Sequence, residues 1–85
     1  MQIKELLYTN RMIPVLTIND LDDTLPLCSA LVAGGLTVIE ITLRTEPALV
    51  AVEMISKELP EINVGVGTLL DPMDLNRAKN SGACF

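Results

Sequence analysis

The chain alternates between short apolar runs and longer stretches in which apolar residues recur every three to four positions. The apolar runs begin near residues 12, 37 and 62, about 25 residues apart. Short apolar runs indicate buried strands, whereas the wider spacing indicates amphipathic helices. The pattern therefore predicts consecutive βα units, which form a parallel sheet with right-handed crossovers.

The first unit is preceded by a predicted leading helix over residues 2–9. The first strand is predicted over 12–17, where Pro14 cannot donate to a ladder and so indicates an edge strand or a local irregularity. Asn19 or Asp20 is predicted to cap the helix that follows, because either side chain can accept a hydrogen bond from a free backbone N–H group.

The second and third units repeat this arrangement. Strands are predicted over 37–42 and 62–68, and Cys84-Phe85 would begin a fourth strand. Thr45 is predicted to cap the helix after the second strand, and Asp71 the helix after the third. The other helix boundaries are predicted at turn and stop residues, namely Gly34, Gly35, Pro60, Ser81 and Gly82.

The repeat length indicates a particular architecture. A (β/α)8 barrel takes about 250 residues with a lower limit of about 200, which eight units of about 25 residues would reach. The 85 residues hold three units and the start of a fourth. The predicted fold class is therefore α/β, with a parallel sheet that forms the first three to four units of a (β/α)8 barrel. An open, flavodoxin-like sheet is the alternative. Because Ala83-Cys84-Phe85 looks like the opening of another buried strand, the chain is expected to be incomplete relative to this fold.

Composition narrows the classes of function. A formal net charge of −5 argues against binding to nucleic acid or to anionic membrane surfaces. No apolar run approaches the ~18 residues that span a bilayer, and no segment resembles a secretory leader, so a cytoplasmic location is expected. The lack of histidine argues against Ser-His catalysis, Cys-His catalysis and zinc sites. Cys28 and Cys84 are expected to be buried small hydrophobic residues, with a disulfide as the alternative.

The second strand contains the best candidate for a site. Alternation places Ile39, Ile41 and Leu43 on one face of this strand and Glu40 on the other. A carboxylate inside an apolar run is costly to bury unless it is paired or useful. Arg44 follows Glu40 by four residues, at the carboxyl end of the strand, where α/β proteins bind their ligands. The residues alone leave two interpretations equally open, which are a structural ion pair and a catalytic site.

Three residues of the third strand are weaker candidates. Thr68 lies at a strand end, where threonine is common for structural reasons, so a structural and a functional role both stay open. Gly65 and Gly67 could suggest phosphate binding, but the segment lacks the third glycine of a dinucleotide fingerprint. Close packing of a helix on the strand is the preferred explanation of both glycines.

Four motifs resemble one family of enzymes. They are Arg11-Met12-Ile13-Pro14-Val15, Ala30-Leu31-Val32-Ala33-Gly34-Gly35, Ile39-Glu40-Ile41-Thr42-Leu43-Arg44-Thr45 and Gly65-Val66-Gly67-Thr68. In this order and spacing the motifs resemble the N-terminal part of the 2-keto-3-deoxy-6-phosphogluconate (KDPG) and 4-hydroxy-2-oxoglutarate (KHG) aldolases.

The resemblance implies a fold, a chemistry and roles for particular residues. It implies a (β/α)8 barrel, usually a homotrimer, and a class I aldolase that forms a Schiff base between a lysine and pyruvate and needs no metal or other cofactor. The substrate would be a small keto acid. Glu40 would be the general acid and base, Arg44 would bind the carboxylate of the pyruvate moiety, and Thr68 would help to position that end. A planar guanidinium suits this task because it grips a carboxylate in a bidentate fork.

The chain departs from the family in one respect. The resemblance implies that the Schiff-base lysine and the phosphate-binding residues lie beyond Phe85. The lysines present are Lys4, Lys57 and Lys79, and the last two are predicted near helix C-termini, where a solvated cation is ordinary. The first hypothesis is accordingly a lyase that cleaves KDPG or KHG. The alternative is a non-catalytic, truncated barrel that self-associates through its open sheet edges.

Overall fold

A parallel sheet of three strands organises the chain. The computed structural model describes residues 3–5 and 12–85, and its strands are β1 (Val15–Leu16), β2 (Val38–Thr42) and β3 (Asn63–Gly67), in the order β1-β2-β3. A 3-10 turn at Leu21–Asp23 leads into helix α1 (Thr24–Ala33), and helices α2 (Ala48–Glu58) and α3 (Pro72–Ser81) follow β2 and β3. Residues 3–5 are helical. The rest of the predicted leading helix over 2–9 lies outside the described residues.

The strand order decides between the two predicted architectures. Each strand pairs in parallel with its successor, so that Val15 lies opposite Glu40 and Glu40 lies opposite Gly65. A flavodoxin-like sheet would place its first strand between the second and third. The flavodoxin-like alternative is therefore wrong, and the observed order is that of consecutive barrel strands.

One face of the sheet is covered by helix α2. Ile39 and Ile41 of β2 are fully buried in the hydrophobic core, as the alternation in this strand predicts. Val64 of β3 joins them. The helix contributes its own fully buried stripe to the same core, which consists of Ala48, Ala51, Val52 and Ile55. The helices therefore lie on the face opposite Glu40, which leaves the Glu40 face for other contacts.

The first strand is shorter than the 12–17 predicted. Regular pairing is confined to Val15 and Leu16, at one edge of the described sheet. Pro14 contributes its carbonyl oxygen, which accepts a hydrogen bond from the Glu40 backbone N–H at 2.9 Å. Since proline has no N–H to donate in return, the ladder begins one residue later. The predicted edge position of this strand is confirmed for the described part of the chain.

The three predicted helix caps have different outcomes. The Asp71 carboxylate caps α3 as predicted, by accepting from the backbone N–H of Met73 at 2.6 Å. The Asp20 carboxylate accepts from the backbone N–H of Asp22 at 2.9 Å and so caps the 3-10 turn, whereas α1 itself begins without a side-chain cap. The helix α2 begins without a side-chain cap. Thr45 was the predicted cap there, but its hydroxyl donates instead to the carbonyl of Ile18.

The end of the described chain bonds to β3 without forming a regular fourth strand. The Cys84 N–H donates to the Val64 carbonyl at 2.7 Å, and the Val66 N–H donates to the Phe85 carbonyl at 3.0 Å. These bonds lie along the side of β3 that β2 leaves open. Gly82 makes the turn before them with a φ of 106°, a left-handed conformation that glycine adopts without steric cost.

Candidate functional site

The Glu40 side chain lies on the face of the sheet that the helices do not cover. Its register partners are Val15 on β1 and Gly65 on β3. The residue is partly buried, whereas its neighbours along the strand, Ile39 and Ile41, are fully buried on the other side. The structure therefore separates a packed core face from a face that carries a carboxylate.

The Glu40 carboxylate lies over the carboxyl end of β3. A Cβ atom placed on Gly67 would be 2.7 Å from Oε1 of Glu40 and 3.0 Å from its Cδ. The carboxyl group thus occupies the space that a side chain at position 67 would need. Since Thr68 is the next residue, the structure brings the carboxylate of Glu40 close to the segment that carries Thr68.

Thr68 has an unusual backbone conformation. Its φ is 62°, and within the described ranges it is the only residue other than glycine with a positive φ. Such a conformation costs about 1–3 kcal/mol and is frequent at active sites and ligand clamps. Neither the motif nor the strand pattern predicts it, because threonine ordinarily avoids this region. The conformation favours the functional interpretation of Thr68 over the purely structural one.

Arg44 lies in the turn after β2 and is exposed. In the described part of the chain the ion pairs are Lys57 with Glu53 and Arg77 with Asp74, and neither includes Arg44 or Glu40. The interpretation of Glu40 and Arg44 as a structural ion pair is therefore wrong. The guanidinium group is left at the carboxyl end of the sheet, on the side where an anionic ligand of a parallel α/β protein would bind.

Hydroxyl groups tie the ends of β1 and β2 together beside Glu40. Thr42 donates to the Leu16 carbonyl at 3.3 Å, and its hydroxyl oxygen is 3.0 Å from that of Thr17. Thr42 is buried and lies on the Glu40 face of β2. Sequence reasoning missed this cluster, because Thr17 and Thr42 become neighbours only when the register of β1 on β2 is known.

The prediction that the two glycines of β3 allow close packing of a helix is wrong. Gly65 and Gly67 both lie on the Glu40 face of the sheet, opposite Glu40 and Thr42. The space for a side chain at Gly65 is filled by the ring of Phe85, and the space at Gly67 by the Glu40 carboxylate. Both glycines therefore shape the face that carries the candidate site.

The lysines of α2 and α3 lie on the helices that follow β2 and β3. Lys57 forms an exposed ion pair with Glu53 at 2.8 Å. The hydrogen bond from Lys57 and its charge lower the pKa of Glu53, and the same contact raises the pKa of Lys57. Lys79 is exposed in the last turn of α3. A protonated or fully solvated lysine on the outer helices is a poor nucleophile for chemistry on the other face of the sheet.

The cysteines do not form a disulfide. Cys28 is fully buried on α1, as predicted, and desolvation raises the pKa of its thiol. The prediction that Cys84 is buried is wrong, because this residue is exposed near the end of the described chain. In residues 3–5 and 12–85 no three histidine, cysteine or carboxylate side chains are gathered as a metal site would require. No helix in these ranges is long and apolar enough to cross a bilayer.

Consecutive βα units in a parallel sheet, with polar side chains at the carboxyl ends of its strands, define the class of (β/α)8 barrel proteins. The family model described as KDPG and KHG aldolase matches residues 3–85. The chain therefore belongs to the KDPG and KHG aldolase family, whose members are (β/α)8 barrels, so the predicted family and fold class are confirmed.

Three relatives illustrate the extent of the similarity. The KHG/KDPG aldolase of Escherichia coli K12 is 44% identical over 82 residues, which are 96% of this chain and 38% of that protein. The crystal structure of the 2-keto-3-deoxy-6-phosphogluconate aldolase of Zymomonas mobilis ATCC 29191 matches the whole chain with a TM-score of 0.94 at 40% identity, and 41% of that chain is covered. A KDPG aldolase of Legionella pneumophila, solved with pyruvate captured at low pH as a covalent carbinolamine intermediate, matches 84% of this chain with a TM-score of 0.80 at 42% identity.

The chain spans only part of these relatives. It covers 38% of the Escherichia coli protein, 41% of the Zymomonas mobilis chain and 34% of the Legionella pneumophila chain. The similarity therefore concerns three barrel units and the candidate site residues they carry.

Proposed function

We propose that the full-length protein is a class I aldolase that cleaves KDPG or KHG to pyruvate and an aldehyde, which is glyceraldehyde 3-phosphate or glyoxylate. The observation that carries the proposal is the Glu40 carboxylate, which lies over Gly67 at the carboxyl end of β3. Membership of the aldolase family gives this carboxylate a chemical context. The proposed partner is a small keto acid, and the proposed assembly is a homotrimer.

Glu40 is assigned the proton transfers. In a Schiff-base aldolase the amine adds to the keto carbon to give a carbinolamine, and an acid must protonate the hydroxyl group that leaves as water. A base must then take the proton of the C4 hydroxyl, while the electrons of the C3–C4 bond move towards the imine nitrogen. The resulting enamine is protonated at C3, which releases pyruvate after hydrolysis. One carboxyl group can perform these steps in turn, because each step returns it to the form that the next requires.

Arg44 and Thr68 are assigned to the carboxylate end of the substrate. Arg44 is exposed at the end of β2 and belongs to neither ion pair of the described chain. A guanidinium binds a carboxylate through two parallel hydrogen bonds, which fix its orientation as well as its position. Thr68 follows Gly67, over which the Glu40 carboxylate lies, so the proposal places Thr68 at the same end of the sheet.

The nucleophilic lysine is proposed to lie in a part of the barrel outside residues 1–85. Lys57 and Lys79 lie on helices that follow β2 and β3, and both are exposed. The carbinolamine captured in the Legionella pneumophila relative supports covalent chemistry for the family. The 85-residue chain by itself is therefore expected to form no Schiff base.

Borohydride trapping with pyruvate tests the assignment. The 85-residue chain should show no adduct by intact mass. A full-length form, in which residues 1–85 are continued by the remaining residues of the Escherichia coli relative, should be labelled at one lysine. A stable adduct mapped to Lys4, Lys57 or Lys79 of the short chain would contradict the placement of the nucleophile.

The Glu40→Gln variant of the full-length form tests the role of the carboxylate. Its turnover should fall by about 10²- to 10⁴-fold, which is the usual contribution of general acid–base catalysis. Glutamine keeps the size of the side chain and removes the ionisable group. Unchanged turnover in this variant would remove Glu40 from the mechanism.

One observation favours a second function for the short chain. The strand β1 lies at an edge of the described sheet, and Val15 on it is 58% exposed. Unpaired strand edges invite association with other strands. The alternative is therefore a non-catalytic fragment that self-associates. A monodisperse oligomer of the 85-residue chain in size-exclusion chromatography with light scattering, without a pyruvate adduct, would favour it, and a monomer would contradict it.

A further inference from the structure

We propose that Gly67 is a positioning residue for Glu40, because the absence of a side chain at position 67 creates the space in which the Glu40 carboxylate lies. The inference rests on the proposed role of Glu40 as the acid and base. The second glycine of the motif Gly65-Val66-Gly67-Thr68 would then leave room for the Glu40 carboxylate at the carboxyl end of β3.

The backbone at position 67 does not itself require glycine. The glycines with a positive φ in the described chain are Gly35 and Gly82, and Gly67 is not among them. It lies within β3 and pairs with Thr42 in the regular parallel register. Glycine in the interior of a strand is otherwise unfavourable, because it loses more conformational freedom and packs no side chain. Close approach of another group is the remaining reason, and the group observed there is the Glu40 carboxylate.

The size of the overlap predicts how far the carboxylate must move. An alanine Cβ at position 67 would be 2.7 Å from Oε1 and 3.0 Å from Cδ of Glu40, whereas ordinary contacts of this kind begin at 3.4 Å. The carboxylate would have to retreat by roughly 0.7 Å. A misplacement of about 1 Å can cost about 10²-fold in rate, because proton transfer depends on the geometry of the donor and acceptor.

The substitution is expected to alter position more than stability. The atoms that would collide with the new Cβ belong to the far end of a flexible side chain, which can rotate away at little cost. An effect on catalysis without an effect on folding is therefore the signature of this role.

The first measurement compares Gly67→Ala with the parent sequence in the full-length form. We expect kcat to fall by about 10- to 100-fold while KM changes by less than about 3-fold, because the displaced group acts on proton transfer and not on ground-state binding. The midpoint of thermal unfolding should stay within about 2 °C. Unchanged kcat would overturn the inference.

Gly34→Ala is the matched control. Gly34 ends α1 with a φ of −85°, and a Cβ there would meet only the Leu31 and Ala30 carbonyl oxygens at 3.5 and 3.7 Å. The same substitution therefore fits at this position without a clash. Its kcat should equal that of the parent sequence. An equal loss of kcat in both variants would overturn the inference, since the loss would then come from the glycine-to-alanine change in general.

A second readout separates this inference from the proposed function. The ¹³C signal of the Glu40 carboxyl group, assigned by its loss in Glu40→Gln, can be followed at one fixed pH in the 85-residue chain. Gly67→Ala should change the chemical shift of this signal, because the carboxyl group is displaced, and Gly34→Ala should not. If Glu40→Gln leaves turnover unchanged, the proposed function fails, and the chemical shift still decides whether Gly67 positions the carboxylate. An unchanged chemical shift would overturn the inference.

A double substitution tests the inference if Gly67→Ala fails to fold. If Gly67→Ala prevents folding, Glu40→Ala in the same chain removes the carboxylate that the new Cβ would meet. Recovery of the folded state would support the inference, because Gly67 would then be required only in the presence of Glu40. Continued unfolding would overturn it and would assign the glycine to the packing of β3.

Discussion

Replacing Thr42 with valine removes one hydroxyl group from the end of β2 and keeps the branched shape of the side chain. This hydroxyl donates to the Leu16 carbonyl at 3.3 Å and lies 3.0 Å from the Thr17 hydroxyl. A hydroxyl carries one proton, so the bond to Leu16 makes Thr42 the acceptor of the Thr17 hydroxyl. The substitution therefore removes two hydrogen bonds between the second strand and the end of the first.

The magnitude follows from the burial of the two bonds. Thr42 is 8% exposed, so the Leu16 carbonyl loses a partner that water replaces poorly. Thr17 is exposed, and its hydroxyl can bond to water instead. A typical intramolecular hydrogen bond contributes about 0.5–1.5 kcal/mol net. We expect Thr42→Val to lower the free energy of unfolding by about 1.5 kcal/mol and Thr17→Val to lower it by about 0.5 kcal/mol.

Urea denaturation followed by far-ultraviolet circular dichroism measures both values, since the chain has no tryptophan to report by fluorescence. Thr37→Val is the control. The Thr37 side chain precedes β2 and makes no hydrogen bond to another described residue, so this variant should match the parent chain. If Thr42→Val had the same free energy of unfolding as the parent chain, the reasoning would be refuted. If the losses of free energy in Thr17→Val and Thr42→Val added up exactly in the double variant, the bond between the two hydroxyls would be refuted.

Three further predictions address charge and exposure. In the full-length form, Arg44→Gln should raise KM by about 10- to 100-fold with a smaller change in kcat, because a charge-assisted bond to the substrate is lost. Steady-state kinetics measures both constants, and an unchanged KM would contradict this prediction. Iodoacetamide should alkylate the exposed Cys84 in the native chain but Cys28 only after denaturation, because Cys28 is buried and its thiol pKa is raised by desolvation; equal rates by peptide mass would refute this. The lowered pKa of Glu53 means that its bond to Lys57 supports α2 above pH 4.5 and is lost as pH falls through the lowered value. The helical circular dichroism signal of the parent chain should therefore fall slightly as the pH is lowered, and this fall should be absent in Glu53→Gln. The same pH dependence in both chains would contradict the contribution of the pair.

Local patterns in the sequence determined the elements and their faces. The alternation around Glu40 placed Ile39 and Ile41 in the core and the carboxylate on the other face, because the period of a strand is a local property. The capping residue Asp71 was also predictable, since a capping side chain bonds to a backbone group two residues away. The family followed from four motifs in order, and the structure agrees with it.

Only the tertiary structure decided which distant groups meet. Thr45 looked like a cap for α2, yet its hydroxyl bonds to Ile18, 27 positions earlier. Glu40 and Arg44 looked like an ion pair by parity, yet the carboxylate lies over Gly67 instead. These contacts depend on the register between strands and on the space above the sheet, neither of which is encoded within one segment.

The sequence by itself therefore specified three βα units, the orientation of Glu40 and the aldolase family. The tertiary structure decided that Gly65 and Gly67 shape the face of the sheet that carries Glu40, one filled by Phe85 and the other by the carboxylate. It also decided the left-handed conformation of Thr68. The physical reason is that propensity and periodicity act within a segment, whereas clearance and strain arise only when separate segments are packed against each other.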